Sequence, residues 1–96
     1  MGRFQNDATE AIYRGKNTKD ARNKCPREIW SVARRKLSIV READTLEDIR
    51  KIPGNRYEKL EGDREGRSSI RINDQYRVTF KWKDGEAREI NIVDYH

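Results

Sequence analysis

Ninety-six residues with only 33% hydrophobic and 41% charged side chains are expected to form one domain, residues 1–96, around one small core. A single cysteine, Cys25, rules out an internal disulfide, and one histidine with one cysteine cannot make a dedicated zinc site. Lys and Arg outnumber Asp and Glu by 22 to 17, a surplus that fits an anionic partner such as nucleic acid or a merely solubilising surface. No segment approaches the ~18 apolar residues of a membrane span, so a cytoplasmic, soluble chain is expected, without cofactor or metal. The composition borders on the disordered range, but Trp30, Trp82, Phe80, Tyr57 and Tyr76 sit inside periodic segments, which argues for folding.

In chain order, Arg3-Phe4-Gln5 reads as a short edge strand. Asn6-Asp7 offers a helix cap, Asp7 and Glu10 resemble a capping box, and Ala8, Ala11 and Ile12 form the apolar side. Gly15 ends that helix. Residues 16–24 are polar and basic without apolar period and read as a loop, either a solvated linker or a segment ordered by a partner. Pro26 starts the main helix, with Ile29, Ala33, Leu37 and Val40 in one stripe, broadened by Trp30 and Val32. Arg27, Arg34, Arg35, Lys36 and Arg41 lie mostly on its other side, as a solvated face or an RNA contact. Thr45, with Asp48 three residues on, caps a second short helix bearing Leu46, Ile49 and Ile52, which Pro53-Gly54 stops.

The remainder reads as strands: Tyr57–Glu61, a charged turn over 62–66, then a meander of Ser68–Ile72, Tyr76–Trp82 and Ala87–Val93. Register follows from the apolar alternation, because a slip of one residue turns every side chain over. A three-residue loop, Asn73-Asp74-Gln75, pairs Ile72 with Tyr76 and Ile70 with Val78. Arg71 then faces Arg77, a like-charge pair that destabilises a sheet unless an anion lies between them. In the second hairpin, Phe80 pairs with Ile90 and Val78 with Ile92 across a loop centred on Gly85. That sets Lys81 against Glu89 and Val93 against Arg77. Asp94-Tyr95-His96 then leave the sheet beside the arginines. In a regular strand Tyr95 falls on the arginine side, and Asp94 and His96 on the other.

Such a neighbourhood suits metal-independent RNA cleavage by the substrate's own 2′-hydroxyl. Histidine titrates near neutrality and serves either proton role. Arginine presents a fixed fork to phosphate oxygens, and tyrosine stacks on a base or donates a proton.

The run G-D-R-E-G-R-S-S-I-R-I-N-D-Q-Y-R-V-T-F, the preceding P-G-N-R-Y-E-K-L and the final I-V-D-Y-H closely resemble the HigB-type (plasmid-maintenance killer) toxins of the RelE/ParE superfamily, over nearly the whole chain. The resemblance implies an α+β fold of the RelE-like microbial-ribonuclease type, with two or three helices on a mainly antiparallel four-stranded sheet. It implies an endoribonuclease, an mRNA interferase that cuts translated mRNA in the ribosomal A site. It also implies a HigA-type helix-turn-helix antitoxin partner, with operator DNA bound only through the toxin–antitoxin complex. Carried over residue by residue, it gives His96 proton transfer, Tyr95 stacking or proton donation, and Asp94 the orienting of its neighbours. Arg77 joins that catalytic set, while Arg71, Arg64, Arg56 and Tyr76 bind RNA or phosphate. Where some members carry a histidine and a lysine before the G-D-R turn, this chain has Glu58 and Glu61, and Asn73 stands where they carry an arginine. One histidine is left for two proton transfers. The alternatives are a non-catalytic RNA- or ribosome-binding module, or a co-repressor subunit acting with its antitoxin.

Overall fold

A computed structural model of the protein describes residues 3–60 and 66–94. The start of the chain lies along the last strand through one parallel bridge, Phe4 to Ile90, flanked by Gln5 N–H donating to Ile90 O and Ile90 N–H to Arg3 O. The expected edge strand shrinks to this bridge because Asn6 already caps α1 (Asp7–Arg14), accepting from the Thr9 amide at 2.9 Å. Glu10 pairs with Arg14 one turn on instead of closing a capping box. Gly15, at φ 77°, ends the helix; its amide and that of Lys16 reach back to Ile12 O and Ala11 O, a Schellman closure.

The expected loop at 16–24 is in fact helical over two thirds of its length. Thr18 caps α2 (Lys19–Lys24) by accepting from the Ala21 amide, and Ala21 is wholly buried, with Cys25 in the core at 2% exposure. A six-residue helix docked through one alanine leaves no apolar period to read, and tertiary contact stabilises what its own length cannot. Pro26 precedes a 3₁₀ turn, Arg27–Ile29, and α3 runs Trp30–Glu42. Ala33, Leu37 and Val40 are fully buried on it as expected; Lys36, expected on the polar side, is buried as well. Thr45 and Asp48 close a reciprocal capping box on α4 (Leu46–Arg50), which buries Ile49.

The sheet has the order β1-β2-β3-β4, all antiparallel, from β1 (Glu58–Lys59), β2 (Arg67–Arg71), β3 (Tyr76–Lys83) and β4 (Glu86–Asp94). The architecture is the α+β arrangement expected, with one more helix. Of the expected strand Tyr57–Glu61, two residues pair; Glu61 and most of the charged turn lie outside the described residues. Ile70 opposes Val78 and Arg71 opposes Arg77. The three-residue loop is stabilised by Asn73, whose Oδ1 accepts from the amides of Gln75 and Tyr76 at 2.8 and 2.7 Å.

The second hairpin holds a correction. Val93 faces Arg77 and Ile92 faces Val78, but Lys81 faces Arg88, not Glu89. Asp84 and Gly85, at φ 55° and 79°, make a two-residue turn that pairs Lys83 with Glu86. That turn sets one register and the apolar face beyond Thr79 sets another, one residue apart. A bulge with Glu89 at φ 52° absorbs the difference, letting both Ala87 and Ile90 face the core. Lys81 still reaches Glu89 at 3.5 Å. The core joins Ile12, Leu37, Val40 and Ile49 of the helices to Ile70, Val78, Phe80, Ile90 and Ile92 of the sheet.

Candidate functional site

Alternate residues of β2, β3 and β4 point away from that core and build a second, polar face: Arg67, Ser69 and Arg71; Arg77, Thr79 and Lys81; Asn91 and Val93. The like-charge pair predicted from the register is present. Arg77 is 12% exposed and donates through Nε to Ser69 Oγ at 2.8 Å and through Nη2 to the Arg56 carbonyl at 2.6 Å, with Glu58 at 3.9 Å. Arg71 forms an ion pair with Asp74. The countercharge demanded by two facing arginines is thus supplied in part by the chain itself. Asp74 is 97% exposed and Glu58 half exposed, so both are placed where a phosphate can compete for the same guanidinium groups.

The turn after α4 braces this pair. Asn55 is fully buried; its carbonyl accepts from the Arg71 amide at 2.6 Å and the next carbonyl, of Arg56, accepts from Arg77. Arg56 itself sits at φ 48°, a left-handed position for a non-glycine residue, and its side chain is exposed. The Asn55 side chain accepts from Lys36 Nζ at 2.6 Å and donates to Ile49 O at 3.1 Å. Burial, and then the charges of Arg35 and Arg71, hold the Lys36 ammonium below its ordinary pKa.

Tyr76 and Asp94 are Cα partners and share the opposite face, toward the helices. Tyr76 is half-buried against the core, and its hydroxyl pKa is raised by burial first, then by Asp94 and Cys25. Asp94 is exposed and accepts from Gln75 Nε2 at 3.1 Å. The structure therefore brings Arg71 and Arg77 together with the Arg56 backbone, and places Tyr76 and Asp94 at the same end of the sheet on its other side. Arg64, Tyr95 and His96 lie outside the described residues. Sequence reasoning missed Ser69, Asn55 and Lys36. Asn55 stands between Gly54 and Arg56 and reads as an ordinary turn residue, and its partners are 6 and 19 residues away. Among the described residues no group of three or more His, Cys, Asp or Glu side chains is placed to hold a metal ion, and no helix is long and apolar enough to cross a membrane.

A family model described as "RelE-like toxin of type II toxin-antitoxin system HigB" matches residues 3–96. A Vibrio cholerae protein named Toxin HigB-1 is 48% identical over 62 residues, 65% of this chain and 65% of that protein. A Haemophilus influenzae protein named only as uncharacterized is 32% identical over 79 residues, 82% of this chain and 78% of the relative. A Proteus vulgaris protein named Endoribonuclease HigB is 38% identical over 55 residues, 55% of this chain and 60% of the relative. The matches thus span less than two thirds of the Vibrio and Proteus proteins.

Proposed function

The chain belongs to the RelE-like toxins of the type II toxin–antitoxin system HigB, and on that premise we propose that it is an endoribonuclease that cuts mRNA on the translating ribosome. The observation that carries this reading is the opposed Arg71–Arg77 pair, braced by Asn55 and Arg56, at the end of the sheet where β4 closes at Asp94. In the reaction, the 2′-oxygen of one nucleotide bonds to the adjacent phosphorus as its proton leaves to a base. The bond to the 5′-oxygen breaks and that oxygen takes a proton from an acid. A 2′,3′-cyclic phosphate and a 5′-hydroxyl result, with no metal required. Arg71 and Arg77 bind the non-bridging oxygens, whose charge grows in the phosphorane; fixed cations of this kind are a large source of transition-state stabilisation. His96 carries a proton transfer, Tyr95 stacks on a base or supplies the second proton, and Asp94 orients the tail. Arg64, Arg56 and Tyr76 contact the flanking RNA. A HigA-type antitoxin neutralises the toxin in the cytoplasm, and operator DNA is bound only through that complex.

The test is purified chain on ribosomes programmed with a defined mRNA, with mapped 5′ ends. Wild type should cut, and His96→Ala should lose about 10²–10⁴-fold in rate with an unchanged melting temperature. Normal cleavage by both His96→Ala and Arg71→Gln would refute this site. Salt-sensitive binding of RNA that stays intact would identify a binding module instead.

A further inference from the structure

Beside the arginine pair the polar face is hollowed into a cleft of about 250 Å³, lined by Gln5, Arg67, Thr79, Asn91 and Val93. Val93 is the partner of Arg77, and Asn91 the partner of Thr79. The cleft therefore opens one step of alternation, ~7 Å, along the strands from Arg77. The one charged side chain that lines it, Arg67, is already engaged. Arg67 donates to Glu89 Oε1 at 2.9 Å, to Glu89 O at 2.9 Å and to Gln5 Oε1 at 3.1 Å. Glu89 also meets Lys81, and the hydrogen bond from Arg67 is the main cause of its lowered pKa. A site with its charges already paired favours a neutral, hydrogen-bonding occupant over a second phosphate.

The orientation of Asn91 follows from its neighbours. Asn6 Oδ1 is committed to the Thr9 amide, so Asn6 presents Nδ2 to Asn91 and donates to its Oδ1 at 2.9 Å. Thr9 Oγ1 accepts from the Ile92 amide at 3.4 Å and gives its own proton to the same Oδ1 at 3.0 Å. The Asn91 carbonyl is thereby tied to α1. Its amide donors are what remains, and nothing among the described residues accepts from them. Gln5 repeats the pattern, with Oε1 taken by Arg67.

We propose that this cleft receives the edge of one RNA base next to the phosphate held by Arg71 and Arg77, and that Asn91 selects a base carrying a hydrogen-bond acceptor there. The inference rests on the ribonuclease reading above. With the base docked so that its exocyclic C6 or C4 substituent meets Asn91, guanine O6 and uracil O4 satisfy the donors, whereas the amino groups of adenine and cytosine at the same ring position oppose them with donors of their own. Val93 gives the base an apolar support between phosphate and edge contacts.

Asn91→Asp keeps an oxygen for Asn6 and Thr9 and replaces the cleft's donors with an acceptor. On ribosomes programmed with mRNA randomised around the cut site, wild type should enrich guanine or uracil at one position. Asn91→Asp should shift that ratio toward adenine or cytosine by about fivefold or more. Cleavage with an unchanged base profile would overturn the inference and leave the nuclease reading standing. If the chain does not cleave, or the variant does not fold, the wild-type Asn91 side-chain amide resonances decide during titration with single-stranded homo-oligoribonucleotides. Larger shifts with oligouridylate than with oligoadenylate or oligocytidylate support the cleft, and equal or absent shifts overturn it.

Discussion

Asn55→Ala should be among the most damaging single changes outside the apolar core. The substitution removes the acceptor of the Lys36 ammonium and the donor to Ile49 O, in a residue with no exposed surface. Leaving a buried ammonium unpaired costs about 3–5 kcal/mol, and one lost neutral hydrogen bond about 1 kcal/mol. Because Lys36 is 7% exposed and its stem can shift toward water, a total of about 3–5 kcal/mol is expected rather than the sum. Lys36→Met alone removes the buried charge along with the bond, so it should cost only ~1–3 kcal/mol, from the orphaned Asn55 oxygen. Urea unfolding of the two single variants and the double variant, analysed as a cycle, should show coupling of at least about 1.5 kcal/mol. An additive cycle, or an Asn55→Ala cost within ~0.5 kcal/mol of zero, would refute the account. The pH dependence supplies a sign. The folded pKa of Lys36 lies below its ordinary 10.5, so the unfolded chain holds that proton more tightly. Stability of wild type relative to Lys36→Met should therefore rise with pH between the lowered value and 10.5, and level off above it.

Three further outcomes are expected. Gly85→Ala should lower stability by about 1 kcal/mol, visible as a lower melting temperature, because φ is 79° while no atom lies within 4 Å of the added methyl. The Cys25 thiol, pushed up to about 11 mainly by burial and 2% exposed, should react with a disulfide reagent at pH 8 about 100-fold or more slowly than in the urea-unfolded chain. Asp74→Asn removes the partner of Arg71, so added sulfate should raise the variant's melting temperature more than that of wild type; an equal rise would mean that the facing arginines do not form an anion site.

The residues whose placement was legible in the sequence are those governed by local or strictly periodic rules. Arg71 had to face Arg77 because Ile70 and Val78 share a buried face and strand alternation allows no half-steps. Gly15, Thr45 and Asp48 act on their own helix ends, so their roles need no distant partner. The rest depended on groups far apart in the chain. α2 exists because Ala21 finds a buried seat, although its sequence has no period. Lys36 lies beneath Asn55 against the polarity of its helix position. Glu89 left the predicted register because a two-residue turn and an apolar face disagreed by one residue, a conflict that appears only when both ends of a hairpin are closed. Asn91 became a donor facing a cleft only when Asn6 and Thr9 took its carbonyl. Sequence by itself determined which residues share a face; tertiary structure decided which polar atoms on that face were already occupied, because a hydrogen bond is spent on whichever partner the fold brings within reach.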